Sequence, residues 1–295
     1  MNTNVPVGEI TLQNYPTWRS GKVRDIFDLG ERLLFVATDR VSAFDVILPT
    51  LIPGKGELLT AISHFWFDAT RPVISNHVHS FEIDELDLAP AERELLTGRS
   101  MIVRKADRID IECVVRSRLA GSGWEEYRRH GTLAGETLPS GLRAGDSLPE
   151  PRFTPAIKND AGHDENISND TLRNMVGADL ASRLQASSLE LFRLAQVIAG
   201  DAGFVIADTK FEFGFIDGEL VLIDEVLTPD SSRYWNQADI TPGAPPQGYD
   251  KQVIRDWLIE SGWDREPPAP ELPIEIVSNA QRRYADVLGR LQATT

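Results

Sequence analysis

The sequence predicts an α+β fold with two lobes, and two observations carry that prediction. The first half of the chain is rich in β-favouring runs, whereas the second half shows helical periodicity around a β-hairpin. A chain of 295 residues is long enough for two compact units, each with its own core. We expect an N-terminal β-rich lobe over 1–120 and a C-terminal α+β lobe over 121–295.

The predicted first lobe begins with a β-hairpin. Residues 22–39, KVRDIFDLGERLLFVATD, form two β-rich stretches around a turn near Gly30. Residues 56–71, GELLTAISHFWFDATR, have apolar side chains at helical spacing and predict a helix. Two further strands are expected over 100–107, SMIVRKAD, and 109–120, IDIECVVRSRLA.

The predicted second lobe begins with a helix over GWEEYRRH, residues 123–130. Residues 131–168 are rich in Gly, Pro, Asp and Asn, which predicts a long and functional loop. The clearest helix of the sequence covers 179–203, where leucines recur at helical spacing. Two tail helices, over about 249–261 and 274–292, are separated by the Pro-rich linker REPPAPELP.

The strand VIADTKFEFGF, residues 205–215, separates charges from aromatic rings. Alternate residues of a strand point to opposite faces, so Asp208, Lys210 and Glu212 share one face and three phenylalanines share the other. Carboxylates around one lysine are suited to Mg²⁺ and substrate phosphates. A solvated strand face with an ion pair would give the same pattern, so the neighbouring motifs must decide between the two interpretations.

The following IDGE turn predicts that this strand pairs with GELVLIDEV as a hairpin. A two-residue turn at Asp217-Gly218 would place Asp224 on the phenylalanine face. A three-residue loop beginning at Ile216, with Gly218 left-handed, would place Asp224 opposite Lys210. We expect the three-residue loop, because it keeps a carboxylate out of the core. The same register places two apolar side chains with the phenylalanines, Val221 and Ile223.

Composition excludes several classes of protein. The net charge of −15 argues against a nucleic-acid binder, and an apolar run of the roughly 20 residues that span a bilayer is absent. The N-terminal residues do not resemble a signal peptide, and the single cysteine, Cys113, suits a reducing cytoplasm. An acidic protein that binds a small anion must gather its basic groups in one pocket. Basic residues among small ones occur in SGKVRD, IPGKGE, VVRSRLAGSGW and DSSRYW.

Two of these basic motifs are suited to phosphates. Lys22 and Arg24 are expected to share a strand face after Gly21, as in a flap over nucleotide phosphates, although a basic surface hairpin would look the same. Arg116 precedes a run of small residues that leads into a helix, where Ser122 and backbone N–H groups can bind an anion. Ordinary N-capping by Ser122 is the alternative interpretation.

The segment TPAIKNDAGHDENIS, residues 154–168, gathers polar side chains into one loop. It has a single histidine and no neighbouring cysteine, which makes a zinc site unfavourable. The segment is therefore either a polar binding loop or a solvated one, and Ser168 is expected to cap the next helix.

Seven motifs occur in one order between about residues 20 and 236, and together they resemble the SAICAR synthetase family. They are GKVRDIFDLG, ATDRVSAFD, IPGKGELLTAIS, IECVVRSRLAGSGWEEY, FTPAIKNDAGHDENIS, IADTKFEFG and LIDEVLTPDSSRYW. The resemblance implies a two-lobe fold similar to kinase and ATP-grasp arrangements. It implies an ATP-dependent ligase of purine biosynthesis that joins CAIR, a carboxylated aminoimidazole ribotide, to L-aspartate, with Mg²⁺ as cofactor. Among assembly states, a monomer is favoured over a homo-oligomer.

The resemblance also implies roles for individual residues. The implied catalytic residues are Lys210 and Asp208. The implied ATP-binding residues are Lys22, Arg24, Lys105, Glu212 and Asp224. The implied substrate-binding residues are Arg116, Ser122, Arg233, Asp45, Lys158 and Asp164. The implied metal-binding residues are Glu212, Asp224 and Glu57.

Two other functions remain as alternatives. A phosphotransferase would use the same ATP site with a hydroxyl acceptor and would form no C–N bond. A nucleotide-binding module without chemistry would lack Lys210, Glu212 or Asp224, and all three are present. ADP release that depends on aspartate would distinguish the ligase from both.

Overall fold

The computed structural model describes residues 5–158, 165–241 and 243–294. The helices are α1 Lys55–Thr70, α2 Pro90–Leu96, α3 Gly121–His130, α4 Asn169–Val176, α5 Ala178–Asp201, α6 Gln252–Glu260 and α7 Ile274–Gln292. The strands of the first 120 residues are β1 Thr17–Ser20, β2 Arg24–Asp28, β3 Arg32–Ala37, β4 Ser42–Ala43, β5 Val46–Ile47, β6 Val78–Ser80, β7 Ser100–Arg104, β8 Asp107–Arg108 and β9 Ile111–Arg118. The later strands are β10 Thr132–Leu133, β11 Glu136–Thr137, β12 Ser147–Phe153, β13 Ala156–Ile157, β14 Glu165–Asn166, β15 Phe204–Ile216, β16 Glu219–Ile223 and β17 Ser232–Asn236.

Two antiparallel sheets organise the molecule, and the α+β class is confirmed. The first sheet has the order β1-β2-β3-β7-β6. The second has the order β14-β13-β9-β15-β16, with β12 added to β9 and with β8 and β17 added to β15. The long strand β15 therefore lies at the centre of the second sheet, where its side chains face both the core and the open side.

The segment before β6 connects the two sheets. The backbone N–H of Leu222 donates to the carbonyl of Ser75, and the N–H of His77 donates to the carbonyl of Leu222. The hairpin β15–β16 is thereby held beside the first sheet, which creates the space that later forms the site. The division into lobes at residue 120 stays a prediction.

The largest hydrophobic core lies between α1, α5, α7 and one face of the second sheet. Phe211, Phe213 and Leu222 are fully buried in it. The burial of two such phenylalanines confirms that this face of β15 is the core face. A second core joins the tail helices α6 and α7 to the 41–52 segment, through side chains such as Ile52.

Most predicted elements are confirmed. The first hairpin is β2–β3, the helix over 56–71 is α1, and the strands near residues 100–120 are β7 and β9. The helices predicted over 123–130 and 179–203 correspond to α3 and α5, and the tail helices correspond to α6 and α7. Ser168 caps α4, where its hydroxyl accepts from the N–H of Thr171. In the part of the chain that the structure describes, no helix is long and apolar enough to cross a membrane.

The prediction of a long loop over 131–168 was wrong for much of that segment. The strand β12 pairs with β9, where Arg152 lies opposite Arg116 and Phe153 lies opposite Val115. The register shifts within this pairing, and two prolines interrupt the strand, so its sequence lacks regular alternation. Its strand character comes from the partner β9 rather than from its own pattern.

The predicted register of the β15–β16 hairpin was also wrong. Ile216 pairs with Glu219, so the turn contains only Asp217 and Gly218, which have φ of 53° and 80°. These two positive φ values are those of a type I′ turn, whose twist matches that of the flanking strands. The phenylalanine face therefore receives Leu220 and Leu222. Val221 and Ile223 pack on the opposite face instead.

Candidate active site

Two connected grooves lie on the open side of β15. The first, called the hairpin groove, has a volume of about 580 Å³ and lies between the first sheet and the β15–β16 hairpin. The second, called the tail groove, has a volume of about 1180 Å³ and runs past the start of α3, β17 and the start of α6. Both grooves are lined by Lys22, Val23, Arg24, Asp45 and Lys210.

Lys210 lies at the junction of the two grooves. Its side chain is 33% exposed, and its ammonium group donates to Glu112 Oε1 at 2.6 Å, with Glu212 Oε1 at 3.8 Å. Burial alone would lower the pKa of Lys210, but the carboxylates of Glu112 and Glu212 outweigh it and raise the pKa above its ordinary value. Lys210 is therefore a permanent positive charge at neutral pH.

Asp224 reaches the open side in a way that the sequence did not predict. Its φ of 68° breaks the strand directly after Ile223, so its side chain leaves the alternation of β16. The carboxylate accepts from Arg24 Nη2 at 2.7 Å. Burial opposes its ionisation, but Arg24 and Lys158 outweigh burial and hold the pKa of Asp224 below its ordinary value. The carboxylate of Asp224 therefore lies on the charged face, as expected. The backbone bend at Asp224 places it there, and the hairpin register does not.

Glu212 is a further carboxylate of the hairpin groove, and it is buried. It forms a close ion pair with Lys158, and only 4% of its side chain is exposed. The fully buried His77 lies in the same groove, and burial lowers the pKa of His77 to about 4. His77 is therefore neutral at physiological pH, and the charges at this end of the groove belong to the lysines, Arg24 and the carboxylates.

The carboxylates of Glu212 and Asp224 are suited to bind Mg²⁺ together with a nucleotide. Mg²⁺ prefers oxygen ligands and is commonly held by one or two protein carboxylates together with substrate phosphates. Glu212 and Asp224 supply two such carboxylates in the hairpin groove. Among the described residues, no group of three or more acidic, histidine or cysteine side chains is arranged to bind a metal without other ligands. Phosphate oxygens would therefore have to complete the coordination.

A cluster of two arginines and one carboxylate lies at the tail groove. Asp208 Oδ2 accepts from Arg116 Nη1 at 2.6 Å and from Arg233 Nη1 at 2.5 Å. Arg116 also donates to Ser122 Oγ at 2.9 Å and to Thr154 Oγ1 at 3.0 Å. Ser122 and Arg233 line the groove, whereas Asp208 is only 4% exposed and lies beneath them. The arrangement presents a fixed arginine and a hydroxyl to any anion in the groove.

The small residues at the start of α3 make room for these arginines. A Cβ at Gly121 would lie 2.4 Å from Arg233 Nη2, and Gly121 also has a positive φ of 52°. A Cβ at Gly123 would lie 2.9 Å from Arg116 Cδ. Glycine is therefore required at both positions by the close approach of two arginine side chains. Ala120 rather than Ser122 is the N-cap residue of α3.

Some of the remaining predicted residues line the grooves, and others lie outside them. Lys22 forms a close ion pair with Asp45, in the turn between β1 and β2 rather than on a strand face. Lys105 follows β7 and donates to Asp28 at 2.8 Å. Glu57 lies outside both grooves, where it accepts from Arg99. The predicted substrate residue Asp164 lies outside the described residues.

Sequence reasoning missed several charged residues of the grooves. Glu112 is the buried partner of Lys210, and its signal was a single acid within the apolar run of β9. Asp230 and Lys251 line the tail groove and form an ion pair at 3.2 Å. They come from an interstrand segment and from the tail, so only the tertiary fold brings them together.

The fold and the grooves define the class of the protein. A basic groove suited to phosphates meets a second anion-binding groove at Lys210, and this arrangement suits an enzyme that transfers a phosphoryl group from a nucleotide to a second anionic substrate. A sequence profile described as SAICAR synthetase matches residues 17–270. The chain belongs to the SAICAR synthetase family, whose members are ligases of purine biosynthesis.

Two relatives illustrate how far the similarity extends. The phosphoribosylaminoimidazole-succinocarboxamide synthase of Desulfosudis oleivorans is 50% identical over 275 residues, which cover 92% of this chain and 94% of the relative. The enzyme of the same name from Thermodesulfovibrio yellowstonii is 48% identical over 280 residues, which cover 95% of this chain and 96% of the relative. The similarity therefore includes most of the tail as well as the motifs.

Solved structures have the same fold. The SAICAR synthase of Saccharomyces cerevisiae complexed with SAICAR has a TM-score of 0.89 and 38% identity, over 97% of this chain and 98% of that one. A type-2 SAICAR synthetase in complex with ADP has a TM-score of 0.64 and 25% identity, over 86% of this chain and 99% of that one. The fold predicted from the motifs is thereby confirmed.

Proposed function

We propose that this chain joins CAIR to L-aspartate at the junction of the two grooves, with ATP in the hairpin groove and CAIR in the tail groove. The observation that carries the proposal is the position of Lys210, which lines both grooves. A lysine at that point can neutralise a phosphoryl group as it passes from one substrate to the other.

The proposed reaction has two steps. An oxygen of the CAIR carboxylate attacks the γ-phosphorus of ATP, the bond to the bridging oxygen breaks, and ADP leaves. The amine of L-aspartate then attacks the acyl carbon and loses a proton, while phosphate departs with the former carboxylate oxygen. Both steps concentrate negative charge, so positioning and charge neutralisation are the main contributions required of the protein.

The proposed roles of the basic residues follow from their grooves. Lys22 and Arg24, which line both grooves, bind the nucleotide phosphates near the junction. Arg233 and Ser122 bind the CAIR phosphate, and Arg116 fixes Ser122 from beneath. The contacts of Asp208 support a role in orienting the two arginines, and its predicted catalytic role stays a prediction.

Mg²⁺ is the proposed cofactor, with Glu212 and Asp224 as its protein ligands and the nucleotide phosphates as its other ligands. When bound, it would withdraw charge from the phosphates and favour transfer. Lys158 and Arg24, the present partners of these carboxylates, would then turn toward phosphate oxygens. The role of Glu57 as a metal ligand stays a prediction, because its carboxylate lies outside both grooves and is held by Arg99.

Two finer assignments complete the proposal. We place the enzyme in the cytoplasm, because its family belongs to purine biosynthesis and its one cysteine, Cys113, is buried and free. We also retain the monomer as the expected assembly state.

An ADP-release assay that omits each substrate in turn tests the proposal. We expect continuous ADP release only when ATP, Mg²⁺, CAIR and aspartate are all present, together with formation of SAICAR. Continuous release in the absence of aspartate, with a stable phosphorylated product, would instead identify a phosphotransferase. Nucleotide binding without any ADP release would identify a binding module.

A further inference from the structure

Trp18 is a large aromatic residue that lies on the surface of the hairpin groove. It belongs to the edge strand β1, and 58% of its surface is exposed. An indole ring combines a large apolar face with a polar N–H, so an exposed tryptophan beside a groove is available to pack against a ligand.

The backbone at Trp18 departs from regular pairing. Thr17 pairs with Phe27, and Arg19 pairs with the adjacent Ile26, so Trp18 is an additional residue without a partner on β2. Such a β-bulge bends the strand and re-aims a side chain, and bulges are common next to active sites. The bulge and the solvent exposure of Trp18 are two separate observations on the same residue.

A cation packs against the indole ring of Trp18. The Lys105 ammonium lies 4.7 Å from the centroid of the Trp18 ring and is also bonded to Asp28. The neighbours of Lys105 in the chain, Arg104 and Ala106, line the groove. The groove also has an apolar lining, which includes Ile26, Leu33, Val103, Ala106 and Ile223.

The groove therefore combines apolar and basic side chains. Trp18 and these apolar residues line it together with Lys22, Arg24 and Lys210. Three residues lie between Trp18 and Lys22 in the chain, and Lys22 is in the turn that follows β1. An elongated ligand with a flat apolar part and a phosphate tail matches this distribution.

We propose that Trp18 is the residue that covers the base of the bound nucleotide. Its indole ring stacks on the purine, while Lys22 and Arg24 hold the phosphates. This inference rests on the proposed role of the hairpin groove as the nucleotide site. Stacking of a base on an aromatic ring corresponds to about a 5- to 150-fold gain in affinity. We expect the gain in affinity for nucleotides, whereas the affinities for CAIR and aspartate are unaffected.

Binding of ADP and of inorganic tripolyphosphate, each with Mg²⁺, tests the proposal by calorimetry. Tripolyphosphate has the phosphates without the base. We expect Trp18→Ser to weaken ADP binding about 5- to 150-fold and to leave tripolyphosphate binding unchanged, whereas Trp18→Phe retains most of the ADP affinity. ADP should also quench the fluorescence of the parent and of the control variant Trp263→Phe, but should quench Trp18→Phe less.

Three outcomes would overturn the proposal, and they are distinguishable. Equal ADP affinity in the parent and Trp18→Ser would show that the ring does not contact the base. Equal losses for ADP and tripolyphosphate would show that the substitution acts on the phosphate end or on the fold. Failure of the parent itself to bind ADP would contradict the proposed function of the groove, and this inference with it.

Discussion

At the scale of single residues, Lys210 is the group on which the proposed chemistry depends most. Its ammonium group lines both grooves and is held by two buried carboxylates, Glu112 and Glu212. The two carboxylates keep it charged and fix its position, so it requires no rearrangement when a phosphoryl group approaches. Its function is therefore electrostatic, and its removal should affect turnover more than binding.

We predict that Lys210→Ala lowers kcat about 100- to 1000-fold while the protein remains folded. The side chain is one-third exposed, so its loss should affect the thermal melt much less than it affects turnover. Steady-state kinetics and a thermal melt of the same preparation measure both effects. The control Glu219→Ala, an exposed residue at the far end of the hairpin, should retain the parent kcat. Near-normal turnover in Lys210→Ala would mean that the charged face is only solvated.

Arg116 supports a second prediction at this scale. Its three guanidinium nitrogens donate to Thr154, Asp208 and Ser122, and a lysine has only one nitrogen to replace them. We expect Arg116→Lys to raise the KM for CAIR about 10-fold or more, with the KM for ATP changed less than about 2-fold. The control Arg128→Lys, on the exposed side of α3, should change neither. Equal increases in both constants would count against a dedicated role for this cluster.

At the scale of elements, the β15–β16 hairpin shows what a sequence pattern can and cannot predict. The alternation of charges and rings identified both faces of β15 correctly, because a strand repeats every two residues. The register failed because the prediction assumed that Asp224 continues the strand. The positive φ at Asp224 shows that the strand ends at Ile223, so the assumption was wrong. Backbone bends at single non-glycine residues leave no periodic signal, so only the structure reveals them.

We predict that Gly218→Val lowers the free energy of unfolding by about 1–3 kcal/mol. The φ of 80° at Gly218 is unfavourable for a β-branched residue, and a Cβ there would meet no neighbour within 4 Å. The cost is therefore conformational rather than steric. Gly218→Asn is the matched control, because asparagine tolerates positive φ, and it should cost much less in urea denaturation. Equal costs for the two variants would contradict the turn geometry.

At the scale of the whole molecule, the C-terminal tail is joined to the core by buried charges. Asp230 accepts from Lys55 at the start of α1 and lies 3.2 Å from Lys251, directly before α6. Its side chain is 2% exposed and that of Lys55 is fully buried. The tail had no readable motif in the sequence, because its role depends on contacts with residues far away in the chain. The structure shows that it forms one wall of the tail groove.

We predict that Asp230→Asn destabilises the protein by about 3–5 kcal/mol at pH 7, because two buried ammonium groups lose their counter-charge. Burial opposes ionisation of Asp230, but Lys251 and Lys55 outweigh it and depress its pKa. Its contribution is therefore complete above the ordinary aspartate pKa of about 3.9, and is lost as the pH falls through the lower, folded value.

The difference in unfolding free energy between the parent and Asp230→Asn should consequently shrink below about pH 4. Urea denaturation at a series of pH values measures it. Asp84→Asn, whose side chain is 90% exposed, is the control and should change little at any pH. A difference that stays constant from pH 7 to pH 3 would contradict the ionic link between the tail and the core.

The central claim is that a phosphoryl group passes from the hairpin groove to the CAIR carboxylate in the tail groove. Turnover of CAIR labelled with ¹⁸O in that carboxylate tests the claim most directly, by mass spectrometry of the released phosphate. The proposed route requires one labelled oxygen in each phosphate, because the carboxylate oxygen departs with it. Phosphate without label, released at the same rate as SAICAR, would contradict transfer through the carboxylate and the role assigned to the junction at Lys210.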